Sequence, residues 1–280
     1  MAFDPGRLGE SRTDLAHALK ALRKRAGWTQ TRLALRCNMS QTKVSNIESG
    51  KLTPALVDVE LICRALGAPV SVVSEVMGMA RMANTEWKDF WSSRRRGLDK
   101  RQNELAGFEK ASTEFRYFLP AMVTGLLATP EYVRASLSGV PGDQSRTVAL
   151  KLERQAVLHD ASKRFTFVLT EQAVRWPLIP PMALALQMDR LASLTRLPNV
   201  RIGVIPLGPE VAPGPLNVFT VYDDRIATVE TSTGVLVFRD HRDVSAYLQE
   251  FAAFERRALF GERAREHLRE WAIAFTRPRE

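Results

Sequence analysis

Residues 28–50, WTQTRLALRCNMSQTKVSNIESG, constrain the fold more than any other stretch of this chain. They read as two short helices joined by a tight turn. Thr29 is placed to cap a helix running from Gln30 to Arg36, and Cys37, Asn38 and Met39 turn the chain. Ser40 caps a second helix, Gln41 to Ser49, and Gly50 stops it. Leu33, Ala34, Val44 and Ile47 fall at spacings that set them on facing inner surfaces. Gln41, Thr42, Ser45 and Asn46 then share the opposite face of the second helix. That face is small, polar and supplied with both donors and acceptors, which suits a helix lying in the DNA major groove and reading base edges.

Charge points the same way. Residues 1–101 hold 18 Lys/Arg against 10 Asp/Glu, whereas residues 102–280 hold 22 against 21. Nearly all of the net charge of +9 therefore sits in or beside the helical hairpin. A polyphosphate partner favours such a distribution, because each neutralised phosphate releases condensed counterions. Solubility alone would not concentrate the charge at one end.

The hairpin and its surroundings resemble the Cro/repressor-type helix-turn-helix known as the XRE family. The resemblance rests on Gly27, Thr29-Gln30, Leu33-Ala34, Ser40, Val44-Ser45, Ile47-Glu48, Gly50-Lys51 and Pro54, and spans roughly residues 14–76, about five helices. Cys37 and Asn38 stand where Leu-Gly is common; asparagine tolerates the left-handed conformation a turn needs. The resemblance implies that Gln30 hydrogen-bonds a phosphate and braces the recognition helix. By position, Gln41 is the best base reader, since a carboxamide pairs bidentately with adenine. Thr42 and Ser45 are placed for bases or thymine methyl groups, and Asn46 for a base or the backbone. Lys43 and Lys51 are phosphate candidates. Each of these besides Gln41 is equally readable as a solvated surface residue. Arg23-Lys24-Arg25 reads either as favourable charge at a helix C-terminus or as a DNA contact. The competing reading of the whole unit is a protein-docking module on the same fold.

About 180 residues remain beyond this unit, enough for a second core. The expected class is α+β: an all-α helix-turn-helix domain of five helices (1–80), a basic linker or helix (81–101), and a larger mixed helix and antiparallel-sheet domain (102–280). Trp87, Phe90 and Trp91 have the spacing of an amphipathic helix, and Arg94-Arg95-Arg96 with Lys100-Arg101 form a basic run. Further helices are expected at 99–113, 130–138, 145–161, 180–196, 241–257 and 262–274. Strands are expected at 164–169, 200–205, 217–222, 226–231 and 235–239, the last three consecutive and antiparallel. Asp223-Asp224 and Ser232-Thr233-Gly234 supply the two turns. Residues 206–215, PLGPEVAPGP, form a loop stiffened by four prolines.

The only two cysteines, Cys37 and Cys63, lie in the helical unit and read as small buried hydrophobes. The four histidines have no metal-ligand spacing, so neither metal nor cofactor is expected. No GxSxG, phosphate-cradling glycine loop or HExxH occurs, and no catalytic residue is assigned. No apolar run reaches bilayer-spanning length and the first residues lack a signal peptide's apolar core, so the expected location is the cytoplasm.

A second resemblance covers residues 100–275. It rests on Leu119-Pro120, VTGLLATPEYVRA (123–135), Arg154-Gln155 and VRIGVIPLG. It is to the C-terminal domain of XRE regulators of streptomycetes and related actinobacteria, the WhiJ-like and Scr-type antitoxin-like proteins. Ala128 stands where a glutamine usually precedes Thr-Pro-Glu-Tyr. The resemblance implies a small partner protein encoded nearby, whose binding changes DNA occupancy. In the run itself Thr129 caps, Pro130 takes the first helical position and Glu131 favours the positive helix end. Tyr132 and Arg134 are then the partner-contact candidates, unless the run is simply a packing corner. Two functions fit these readings. One is a transcriptional regulator, a homodimer on an inverted-repeat operator, controlled through its second domain by a small protein or ligand. The other is an antitoxin-like protein that neutralises its partner and binds DNA for autoregulation.

Overall fold

The computed structural model describes residues 11–89, 99–208, 214–231 and 234–276. The chain divides into two compact units, residues 1–87 with 238–240, and residues 88–237 with 241–280.

The first unit contains α1 (Ser11–Arg25), α2 (Gln30–Arg36), α3 (Gln41–Glu48), α4 (Leu56–Ala65) and α5 (Val70–Asn84). Leu15 and Leu19 recur one turn apart on α1 and meet Leu33, Val44, Ile47, Val59 and Ile62 in one core. Each fully buried side chain of this kind contributes roughly 1.5–3 kcal/mol. Cys37 and Cys63 belong to this core as free thiols, and burial pushes both thiol pKa values up. After α5 the chain is extended in β1 (Thr85–Asp89). The helix expected from Trp87, Phe90 and Trp91 therefore does not start at Trp87; Phe90, Trp91 and Arg94–Arg96 lie outside the described residues.

The second unit is built around a sheet whose strands run in the order β7 (Gly234–Phe238), β6 (Ile226–Glu230), β5 (Val218–Tyr222), β2 (Glu114–Leu119), β3 (Arg164–Thr170) and β4 (Val200–Ile205). The sheet is mixed rather than purely antiparallel. β2 pairs parallel with β3 and antiparallel with β5, and β3 pairs parallel with β4. β2 was not among the strands expected, yet it joins the parallel half to the antiparallel half. Its alternation is visible in hindsight: Phe115, Tyr117 and Leu119 share one face and are all buried.

Helices α6 (Asp99–Ala111), α7 (Pro130–Ser136), α8 (Ser145–Glu153), the 3-10 turn Arg154–His159, α9 (Glu171–Arg175), α10 (Pro181–Leu194), α11 (His241–Glu255) and α12 (Gly261–Thr276) complete the unit. Leu184, Met188 and Leu191 of α10, and Leu268 and Trp271 of α12, join the core containing Phe115, Phe165 and Phe167. On the other face Phe118 of β2 stacks on Phe254 of α11, centroids 3.9 Å apart. Gly203 of β4 is required by close approach, since a Cβ there would lie 2.6 Å from the Phe260 ring.

The corner 123–135 is held by the polar side chains of half-buried Gln155 and buried Gln187 and Thr129. Gln155 Nε2 donates to the carbonyls of Gly125 (2.7 Å) and Ala128 (2.8 Å). Gln187 accepts from Thr129 N (2.6 Å) and donates to Leu127 O (3.0 Å). Thr129 caps α7 by accepting from Tyr132 N (3.3 Å). This corrects one expectation: Tyr132 is 1% exposed, and its hydroxyl accepts from Val123 N (3.1 Å). Its ring completes the core under α7, so it is not a surface contact. Arg134 is exposed.

Asp223 shows why the Asp-Asp pair is turn chemistry. Its φ of 53° places it in the left-handed region. Its carboxylate accepts from Thr113 N (3.0 Å), Glu114 N (2.9 Å) and Arg225 Nη2 (2.7 Å). Burial opposes ionisation, but these donors outweigh it and hold the carboxyl at about 2. Because the folded value lies below the ordinary one, the stabilisation is complete above pH 4 or so and is lost as pH falls toward 2. Asp223→Ala is expected to cost about 1–3 kcal/mol, since two backbone N–H groups lose their acceptor. Urea unfolding at pH 7 and pH 3 measures this; the variant's deficit should shrink at the lower pH.

Candidate nucleic-acid interface

The helix-turn-helix forms as its caps dictate. Thr29 Oγ1 accepts from Arg32 N (3.1 Å), and Ser40 Oγ accepts from Lys43 N (3.1 Å). Asn38 turns the chain with φ 53°, and Gly50 follows α3 with φ 72°. Leu33, Ala34, Val44 and Ile47 are all buried. Gln41 and Thr42 are exposed on the first turn of α3, with Ser45 and Asn46 half-buried behind them.

The structure also contains a polar relay of which the sequence reading foresaw only the bracing role of Gln30, not Arg23 or Glu48. Glu48, on α3, is buried with its side chain 3% exposed. Arg23 grips it with both ends of its guanidinium, Nε to Oε1 at 2.6 Å and Nη2 to Oε2 at 2.8 Å. Nη1 of the same guanidinium donates to Trp28 O (2.6 Å). Arg23 lies in the last turn of α1, as the sequence suggests, but its guanidinium is buried and ties α1 to α3. Gln30 Nε2 donates to Glu48 Oε2 (2.9 Å), and Gln41 Nε2 donates to Gln30 Oε1 (3.0 Å). The sequence hint was an acidic residue, Glu48, beside the apolar Ile47 with a basic run upstream, but no local spacing links positions 23 and 48.

The relay has a direction. A carboxylate only accepts, so Gln30 must turn its amide nitrogen to Glu48 and its oxygen to Gln41. Gln41 must then give one N–H to Gln30. Its own carbonyl oxygen and second N–H are left to point outward, the donor–acceptor pair that matches adenine N6 and N7. Gln30 therefore braces Gln41 at the start of α3.

The cations differ in setting. Lys43 Nζ pairs with Asp58 Oδ1 (2.8 Å), which leaves two further N–H donors. Lys51 is exposed beyond Gly50. Arg32, exposed on α2, lies over the Trp28 ring at 4.4 Å from its centroid, adding a cation that the sequence reading did not include. Among the described residues, no group of three or more His, Cys, Asp or Glu is placed to hold a metal ion. No helix among them is long and apolar enough to cross a membrane.

Comparison with known proteins places both halves. Residues 14–76 match a helix-turn-helix domain family. Residues 102–270, more than half of the chain, match the domain of unknown function DUF5753. The chain belongs to the DUF5753 family. An immunity repressor protein of Bacillus phage phi105 is 30% identical over 87 residues, 31% of this DUF5753 chain and 58% of the repressor. The chain thus spans under two thirds of that relative's length. The helix-turn-helix match covers the unit that carries α2 and α3. Among solved structures, NucT from Helicobacter pylori is 10% identical with a TM-score of 0.35, over 62% of this chain and 97% of NucT. TrmBL2, an archaeal chromatin protein described as having a novel mode of DNA binding, is 7% identical with a TM-score of 0.34, over 64% of this chain and 53% of its own. Such low scores carry no argument.

Removing Glu48 tests the relay as a structural element. Glu48→Ala leaves a guanidinium buried without its counter-charge and is expected to cost about 3–5 kcal/mol in urea unfolding. The double variant Arg23→Met/Glu48→Leu should recover most of that loss. Burial opposes ionisation of Glu48, but the hydrogen bonds from Arg23 and Gln30 and the charges of Arg23 and Lys20 outweigh it and hold the carboxyl below the ordinary glutamate range. Its contribution is therefore present at neutral pH and lost as pH falls through that lowered value.

Proposed function

We propose that this protein is a sequence-specific transcriptional regulator that reads its operator with α3. The observation that carries the reading is the one-way relay from Glu48 through Gln30 to Gln41, which pre-orients a base-reading carboxamide. Gln41 reads adenine, Thr42, Ser45 and Asn46 add base or thymine-methyl contacts, and Gln30, Lys43 and Lys51 hold the phosphates. One recognition helix covers only a few base pairs, so the protein acts as a homodimer on an inverted repeat. The second unit acts without enzymatic turnover. It receives a small partner protein encoded nearby, or a small ligand, as in the WhiJ-like and Scr-type regulators, with exposed Arg134 on the partner surface. The protein works in the cytoplasm.

The test is binding of the purified full chain to DNA upstream of its own gene, with and without the neighbouring small protein. A protected inverted repeat whose affinity shifts with the partner is the expected result. Gln41→Ala should cost about 1–3 kcal/mol and relax discrimination at one base position, whereas Lys51→Ala should weaken all sequences alike and reduce the salt slope by about 1. Tight binding of the small protein with no DNA binding at any salt would sink the regulator reading. Toxicity of the small protein on its own would turn the reading toward an antitoxin.

A further inference from the structure

One face of the sheet in the second unit is not fully covered by helices. Tyr117 and Leu119 of β2, Val218 and Thr220 of β5, and Glu230 of β6 line a cavity of about 480 Å³ closed by the corner 121–125 and by α7. The strand register puts these side chains on one face, because Tyr117 lies opposite Thr220 and Val218 opposite Glu230. The volume falls within the range of small-molecule sites.

The decisive feature is Tyr117. Its residue is 5% exposed and its hydroxyl is buried, yet that hydroxyl has no hydrogen-bond partner among the described residues. Its ring is fixed by stacking on Phe167, centroids 4.8 Å apart, so the hydroxyl cannot swing to another partner. A buried hydroxyl without a partner is costly, and native proteins rarely keep one without a use. The neighbouring polar groups are already engaged. Tyr222 is hydrogen-bonded by Thr228, and Arg154 is held bidentately by Glu109 at 2.9–3.1 Å. Burial, with Tyr222 and Glu109 close by, keeps the Tyr117 phenol protonated, so it offers a donor. Charges in the lining are of both signs, Lys151 and Arg154 against Glu230, and Arg154 already has its carboxylate. Nothing here selects a net charge.

We propose that this cavity binds an uncharged, largely apolar small molecule, and that a carbonyl or ether oxygen of it displaces a lining side chain to accept a hydrogen bond from the Tyr117 hydroxyl, which the lining otherwise covers. The proposal builds on the reading of the second unit as the effector domain, and gives that unit a ligand site.

The probe is Prodan, an uncharged aromatic ketone whose emission reports both polarity and hydrogen bonding at its carbonyl. Titrated against the full chain, it should bind saturably at one per chain with blue-shifted emission. Tyr117→Phe removes only the hydroxyl; without ligand it should raise thermal stability slightly, because a buried unpartnered donor is lost, and it should weaken Prodan roughly three- to tenfold, the worth of one neutral hydrogen bond. Ala121→Trp adds bulk at an exposed position on the cavity rim and should block the dye without harming the fold. Absent or non-saturable binding, or wild-type affinity in either variant, overturns the proposal. The dye assay contains no DNA and operator binding is measured without dye, so failure of the pocket and failure of the DNA-binding reading show up separately.

Discussion

A carboxylate accepts hydrogen bonds and donates none, and in the first unit the buried carboxylate of Glu48 sets the direction of the side-chain hydrogen bonds that link Arg23, Gln30 and Gln41. Arg23 neutralises its charge, Gln30 satisfies a further lone pair, and Gln41 inherits its orientation from Gln30. Apolar packing of Leu33, Val44 and Ile47 brings the helices together, but such packing is non-directional. The relay converts a close-packed helical hairpin into one whose outward carboxamide has a defined donor and a defined acceptor side. On the proposed reading of α3, stability and recognition share a group: the ion pair that is costly to break is also the one that orients the Gln41 carboxamide.

The second unit solves a different problem with similar means. Its sheet changes from parallel to antiparallel pairing at β2, so this strand is hydrogen-bonded on both edges and buried on both faces. Phe115 and Tyr117 feed the core beneath α10 and α12, while Phe118 stacks under α11. Irregular backbone beside the sheet needs partners that helices do not supply, and Gln155, Gln187 and Arg190 give them to the carbonyls and N–H groups of residues 125–129. This also accounts for Arg154-Gln155 as a marker pair: one member closes a buried ion pair with Glu109, and the other holds the corner.

Much of the architecture was legible in the chain because it depends on neighbours in sequence. Thr29, Ser40 and Thr129 cap helices through N–H groups three residues on, and Asn38, Gly50 and Asp223 sit where φ turns positive. Helices and strands with a clear period, such as α10 and β4, fall within a residue or two of expectation. The burial of Leu33, Ala34, Val44, Ile47 and both cysteines follows from the same periodicity.

What the chain alone could not decide are pairings between distant positions. Nothing local joins Arg23 to Glu48, so the basic run at the end of α1 looked like surface charge until the tertiary fold buried one of its members. Tyr132 has the polar tip of a contact residue, and only the packing of α7 against α8 and α10 turns it inward. Strand β2 is six residues of unremarkable alternation, and its central place follows from edges supplied by β3 and β5, some 50 and 105 residues away. Caps, turns and periodic faces are set by bonds that close within a few residues, so the sequence by itself determines them. Sheet order, buried ion pairs and the unpartnered Tyr117 hydroxyl depend on which distant surfaces meet, and only the tertiary structure decides that.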